Sequence, residues 1–313
     1  MSKTAFLFPG QGAQAVGMGV ALAGESGAAR AVFEAVNDAL GEDLFALMKE
    51  GPDKTLKLTR NAQPALFASA LAVVRAVEEK TGQNLHSLGS VVAGHSLGEY
   101  AALAAAGVLS LDDAARLLRL RGDSMQEAVP VGEGAMAALL GADMQQVQDI
   151  IANAASAGLV QIANDNAPGQ IVVSGTAEGV DAAIAAAKEA GLKRALKLPV
   201  SAPFHCDLMA PAADIMPDAL ASTEFQEPTM TVFCNVTADA ETSAVELRAN
   251  LVTQVCGRVR WRESLEAMQQ AGVSRFVELG TGKVLSGLVK RTLSDVEIAN
   301  AETMADIEAV FGA

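Results

Sequence analysis

Aromatic residues are scarce in this chain: ten Phe, one Tyr and one Trp among 313 residues. Half of the sequence is nevertheless hydrophobic, so alanine and small aliphatics supply most of the apolar surface, which suits helices packed closely on a sheet. Cysteine is scarce too. Cys206, Cys234 and Cys256 are too few for a disulfide framework and too far apart for a zinc knuckle, and a reduced, cytoplasmic setting is expected. Positive charge is in deficit, with 23 Lys and Arg against 37 Asp and Glu, a net charge of −14. Such an acidic molecule repels phosphate backbones and anionic lipid, which argues against nucleic-acid binding and against a membrane-surface role. No apolar run reaches the roughly 18 residues of a membrane helix, and no cleavage-site pattern follows the short apolar start.

The pattern that is present reads as α/β. Residues 4–8 and 90–94 are short apolar strands, the first ended by Pro9-Gly10-Gln11-Gly12, the second followed directly by a helix over 97–106. Further helices are expected at 28–40, 62–81 (closed by Gly82) and 111–127. From 134 to 200 the order changes to strand 135–140, helix 144–155, strands 159–164 and 170–174, helix 178–190 and strand 192–200. This βαββαβ order is the split unit of ferredoxin-like domains. The rest continues with a helix at 211–222, a strand at 229–235, a helix at 262–271 and a strand at 274–279. The expected fold is a large α/β-hydrolase-like domain with a parallel sheet, residues 1–129 and 201–313, interrupted by a ferredoxin-like subdomain at 130–200.

Gly94-His95-Ser96-Leu97-Gly98 is a G-x-S-x-G sequence between a strand and a helix, the context a nucleophile elbow requires. The glycines permit a sharp turn that lifts the Ser96 hydroxyl from the sheet, and the helix N-terminus favours a developing anion. A serine nucleophile needs a base, and the chain has only His86, His95 and His205. His95 sits inside the elbow and His86 in a polar loop. His205 follows a turn after an apolar strand and is the best candidate. No acid between Ser96 and His205 (Asp112, Asp113, Asp123, Asp143 or Asp165) is singled out by its surroundings as a third member. Arg121 falls on the apolar stripe of Ala114, Leu117, Leu118 and Met125, so its guanidinium needs either an internal carboxylate or a substrate anion. Gly10-x-Gly12-x-x-Ala15 imitates a dinucleotide fingerprint, but Pro9 and the lack of a placed acid favour a loop presenting backbone N–H groups instead. The segment 280–284 lacks the first glycine and the hydroxyl of a P-loop.

Taken together these segments resemble malonyl-CoA:acyl carrier protein transacylases, and the resemblance spans essentially the whole chain. Its landmarks are Phe8-Pro9-Gly10-Gln11-Gly12, Gln63-Pro64-Ala65, Gly94-His95-Ser96-Leu97-Gly98-Glu99-Tyr100, Arg121-Gly122, Asn166-Ala167-Pro168-Gly169-Gln170, Pro203-Phe204-His205 and Glu278-Leu279-Gly280. The resemblance implies Ser96 as nucleophile, His205 as base, the N–H groups of Gln11 and Leu97 as oxyanion hole, and Arg121 as the ligand of the malonyl carboxylate. It implies that a backbone carbonyl near Gln254, not an aspartate, orients the histidine, although in the segment Gln254–Trp261, which keeps the Gln and the Trp, the usual Pro before Val (here Arg258 before Val259) is missing. It also implies His95, Asn166 and Phe204 as substrate contacts, Phe204 in the manner of malonyl-selective members. The implied reaction is ping-pong transfer of malonyl from malonyl-CoA to the phosphopantetheine of acyl carrier protein by a monomer without metal or redox cofactor. The alternative is a serine thioesterase or esterase with the same nucleophile.

Charge is uneven along the chain. Residues 188–205 carry a net +3 and residues 256–291 a net +4, leaving −21 on the rest. These segments are expected to flank the cleft mouth and steer anionic substrates, with Arg194 as a candidate contact.

Overall fold

The computed structural model describes residues 3–312. Ten strands form two sheets: β1 Lys3–Phe8, β2 Val91–Gly94, β3 Gly134–Leu140, β4 Val160–Ala167, β5 Gln170–Thr176, β6 Arg194–Lys197, β7 Thr231–Phe233, β8 Ala240–Glu241, β9 Val273–Leu279 and β10 Glu297–Ala301. The larger sheet has the order β10-β9-β1-β2-β7-β8, parallel throughout except for the short antiparallel β8. β1 and β2 are apolar along almost their whole length and buried, as strands covered by helices on both faces must be.

The smaller sheet has the order β4-β5-β3-β6, antiparallel throughout, with the helices Met144–Ala154 and Ala177–Glu189 on one face. Alternation along β3 decides what each face meets. Ala135, Ala137 and Leu139 pack on those helices, while Met136 turns to the main core. This is the expected mixed α/β fold with its βαββαβ unit.

Several boundaries differ from the sequence reading. The strand expected over 192–200 covers only Arg194–Lys197, because Leu198–Ser201 leaves the sheet edge to line a cavity. Further elements absent from the sequence reading include the helices Val20–Glu25, Leu44–Glu50, Ala244–Gln254, Val284–Thr292 and Met304–Phe311, and the edge strands β8 and β10. The expected 62–81 helix begins earlier, at Thr59, and runs through Pro64. Pro64 removes the N–H that would bond the Arg60 carbonyl, and the Arg119 side chain supplies that bond at 2.5 Å. This helix is buried almost all round, which explains its weak amphipathic signal. His86 lies exposed on a one-turn helix, Leu85–Leu88, not in an irregular loop.

Candidate active site

The site forms where parallel strands end. β1 and β2 are neighbours in register, Phe8 opposite Gly94, so the turn after Phe8 and the turn after Gly94 emerge side by side. The second turn is tight: the His95 N–H donates to Phe8 O at 3.0 Å, and helix Gly98–Ala105 begins two residues after Ser96. Ser96 has φ +53°, a left-handed conformation that non-glycine residues seldom adopt and that clusters at functional sites. The glycines on either side are required by space. A Cβ on Gly94 would lie 1.9 Å from the Gly98 carbonyl carbon, and one on Gly98 would lie 2.2 Å from Phe8 O. β7 ends beside the elbow, and Asn235 just beyond it fixes the turn. Its Oδ1 accepts from the Ser96 N–H at 2.7 Å, and its Nδ2 donates to Gly94 O at 2.7 Å.

His205 comes from the far side of the chain and also has a positive φ, +58°. Its Nε2 lies 2.7 Å from Ser96 Oγ, and its Nδ1 lies 3.0 Å from Gln254 O and 3.1 Å from Gly257 O. Carbonyl oxygens only accept, so Nδ1 carries the hydrogen and Nε2 is left to accept the serine proton. Burial, then the nearby positive Arg121 and His95, push His205 down to about 3, and the ring is neutral at ordinary pH. None of the five candidate acids takes part. Asp165 is buried but pairs with Arg262 at 2.8 Å, Asp123 with Arg60, and Asp113 with Arg116, while Asp143 caps a helix.

Arg121 is 2% exposed, on the stripe the sequence indicated. Its Nη1 donates to Gln63 Oε1 at 2.6 Å, and its Nη2 to Gln254 Oε1 at 2.9 Å and to Ser96 Oγ at 3.2 Å. All three partners are neutral, so the guanidinium holds no carboxylate in its hydrogen-bonding shell. Burial pulls its pKa down from the ordinary arginine value, with Tyr100 and Glu99 opposing. On the other side a directed chain runs outward. Since Arg121 can only donate, Gln63 turns its Oε1 to it and its Nε2 to Thr59 Oγ1 at 3.1 Å, and that hydroxyl donates to Gln11 Oε1 at 2.9 Å. Gln63 entered the sequence argument only as part of a landmark; Thr59, Glu99 and Asn235 were given no role, because nothing local marks a residue that acts through a distant partner.

A cavity of about 800 Å³ opens over these groups, walled by both sheets' surroundings: Gln11 and Leu97 by the elbow, Met136 and Val172 from the small sheet, Phe204, and Leu288. Among the described residues, the N–H groups of Gln11 and Leu97 donate to no backbone or side-chain acceptor. His95 points away from Ser96, with its Nε2 2.8 Å from Asn166 Oδ1 and its ring 5.4 Å from that of Trp261. Arg194 is exposed on the edge strand β6 and is not part of the cavity wall. The expected basic flanks are likewise altered: Lys197, Arg258, Arg260, Arg262 and Arg275 are engaged in ion pairs, and among the described residues the Lys and Arg cations at the cavity are Lys54, Lys57 (itself paired with Asp53) and Arg121. The remaining landmark, Glu278, is structural. Its carboxylate accepts from the Leu285 and Ser286 N–H groups and so caps the helix that follows.

A strand–serine–helix elbow, a neutral buried histidine on its hydroxyl and a guanidinium with no carboxylate in its hydrogen-bonding shell beside both define an α/β protein of the serine acyl-transfer class. The chain belongs to the acyl transferase domain family, which matches residues 5–309. It is 45% identical over 308 residues to the malonyl CoA-acyl carrier protein transacylase of Bacillus subtilis, covering 97% of this chain and 96% of that protein. The corresponding Escherichia coli K12 protein is 45% identical over 291 residues, 93% of each. Among solved structures, the acyl-carrier-protein-S-malonyltransferase of Bartonella henselae superposes with a TM-score of 0.96 at 50% identity, covering 99% of this chain and 98% of that one. A malonyl-transacylase in complex with its type II PKS acyl-carrier protein gives 0.95 at 42% identity and 99% coverage of both chains.

Proposed function

We propose that this enzyme transfers a malonyl group from malonyl-CoA to the phosphopantetheine thiol of an acyl carrier protein, through a malonyl ester on Ser96. The observation that carries the reading is Arg121, a buried guanidinium without a carboxylate partner that reaches within 3.2 Å of the candidate nucleophile. A charge held in that state favours an anionic acyl group, and a bidentate pair with a carboxylate fits its planar fork.

His205 Nε2 takes the Ser96 proton as Oγ bonds to the thioester carbonyl carbon, and the carbonyl π electrons move onto oxygen. The N–H groups of Gln11 and Leu97 receive that oxyanion. On collapse the C–S bond breaks, and the coenzyme A sulfur leaves with the proton from His205. The carrier thiol then gives its proton to His205 and attacks the ester carbonyl, and on collapse the C–O bond breaks and Ser96 Oγ takes that proton back from His205. A thioester is already activated, so neither half-reaction needs a metal or redox cofactor. Gln254 and Gly257 carbonyls do the orienting that an aspartate does in other triads.

Phe204, bulky on the cavity wall, leaves little room beside the acyl carbon and suits an unbranched group. His95 and Asn166 offer a polar edge to the thioester arm, and Arg194 would act on an anionic partner only at long range. The cavity falls between a large domain, 1–129 with 201–313, and a small one, 130–200, in a monomeric protein of the cytoplasm. The thioesterase reading is weaker, because a hydrolase has no use for an uncompensated buried guanidinium. Intact-protein mass spectrometry after mixing with malonyl-CoA decides: a malonyl adduct on Ser96 that persists until holo carrier protein is added is expected, and absent in Ser96→Ala. Immediate release of free malonate with no adduct would favour the hydrolase.

A further inference from the structure

Among the described residues Glu99 is the one carboxylate at the centre of this site, and the mechanism above does not use it. It lies three residues beyond the nucleophile, fully buried, in the first turn of the helix Gly98–Ala105. It forms no ion pair. Its Oε2 accepts from Gln254 Nε2 at 2.7 Å and from the Asn235 N–H at 3.1 Å, while its Oε1 has no hydrogen-bond partner. Those two donors lead to both halves of the site. Gln254 turns its Oε1 to Arg121 and lends its backbone carbonyl to His205, and Asn235 holds the Ser96 N–H.

A side-chain amide can occupy its place in two flipped orientations, and only one presents an acceptor to Arg121. In that orientation the Nε2 of Gln254 is satisfied by Glu99 Oε2 and by Ser96 O at 3.0 Å. When Arg121 turns its donors to a substrate carboxylate, its own hold on Gln254 weakens, and the contact with Glu99 remains. We propose that Glu99 is a positioning residue: through its Oε2 it locks the Gln254 amide, and thereby sets the Arg121 guanidinium for the acyl carboxylate. This rests on the role proposed above for Arg121. What matters is an acceptor at that point, not a negative charge. Burial supports this, since it pushes Glu99 up to about 7, and Oε2 accepts from Gln254 in either protonation state.

The test is the ratio of kcat/KM for malonyl to that for acetyl transfer from the coenzyme A thioesters, measured in Glu99→Gln and Glu99→Asp. Glutamine keeps an acceptor in place without charge, whereas aspartate keeps the charge and withdraws the acceptor by one methylene. We expect the ratio to stay within about threefold of wild type in Glu99→Gln and to fall about tenfold or more in Glu99→Asp. The reverse order would assign the effect to charge and overturn the proposal. So would an equal loss for both acyl groups in Glu99→Asp, since a merely structural role moves the rates together. Should Glu99→Asp fail to fold, Gln254→Met, which removes the amide at similar length, must show the same drop, and an unchanged ratio there overturns the proposal. Arg121→Ala separates the two levels. A ratio unchanged in that variant removes the carboxylate reading and this inference with it, whereas a collapse there with none in Glu99→Asp removes only the inference.

Discussion

His205 sets the pH behaviour of the reaction. An ordinary histidine base loses activity as it protonates below about pH 6.5. Here burial comes first and the positive charge of Arg121 second, and both disfavour imidazolium, so the fall is displaced toward pH 3. Single-turnover acetylation of Ser96 from acetyl-CoA should therefore stay flat between about pH 8 and 5. In Arg121→Gln the second cause disappears, the histidine becomes more basic, and the acid limb should move upward. A limb centred near 6.5 in the wild type would contradict this account. The neutral acetyl group is the right probe because it makes no demand on the guanidinium. At this scale the sequence was informative where chemistry restricts residue choice: few side chains can serve as nucleophile, base or anion ligand, and Ser96, His205 and Arg121 stood out. Asn235 and Glu99 did not, because asparagine and glutamate have many uses and their partners lie 136 to 155 positions away.

The elbow is an element held by backbone contact. Gly98 carries the first turn of its helix against β1, and a methyl there would meet Phe8 O at 2.2 Å and Pro9 O at 2.8 Å, neither of which is a flexible side-chain tip. Gly98→Ala must therefore shift the helix start or the strand end, displacing Ser96 from His205. A displacement of about 1 Å is enough for about a 100-fold loss, which we expect in the rate of Ser96 acylation with the protein still folded. Stopped-flow release of coenzyme A together with circular dichroism checks it, and a rate within about threefold of wild type would show that the turn can give. The same scale shows why some elements were legible and others not. The helix 111–127 displays one apolar stripe and a Ser110 cap, whereas the Thr59–Thr81 helix, legible from residue 62 onward, shows a weaker period because it is buried on nearly all sides. Its Pro64 reads locally as a breaker, and only the Arg119 side chain, 59 positions from the Arg60 carbonyl, makes it tolerable.

A short bridge and an ion pair hold the smaller sheet to the segment around the helix Trp261–Gln270. The Asp165 N–H donates to Val259 O at 2.9 Å and the Val259 N–H to Ala163 O at 2.8 Å, tying β4 to the segment before the helix Trp261–Gln270. Arg262 of that helix then grips the buried Asp165 carboxylate. Arg262→Met leaves that carboxylate uncompensated, and about 3 kcal/mol of stability should be lost in urea unfolding. Adding Asp165→Asn removes the stranded charge and should restore most of the loss, whereas simple additivity of the two changes would show that the pair is not coupled. The acidity of the whole molecule also takes on a clearer meaning. The excess of Asp and Glu argues against nucleic acid as a partner, while the cations placed at the cavity, Lys54, Lys57 and Arg121, come from outside the two basic segments 188–205 and 256–291.

The sequence by itself determined the α/β class, the βαββαβ insertion, the serine elbow and the histidine and arginine that face it. These follow from local periodicity, turn chemistry and the small number of side chains able to do each job. Only the tertiary structure decided that a second carbonyl, that of Gly257, joins the one of Gln254 in orienting the histidine, and that Arg121 has no carboxylate in its hydrogen-bonding shell. It alone also showed which basic residues stand at the cavity. The physical reason is the same in each case. Hydrogen bonds and charges act over a few ångströms of space, and the fold, not the order of residues, sets which groups come within that distance.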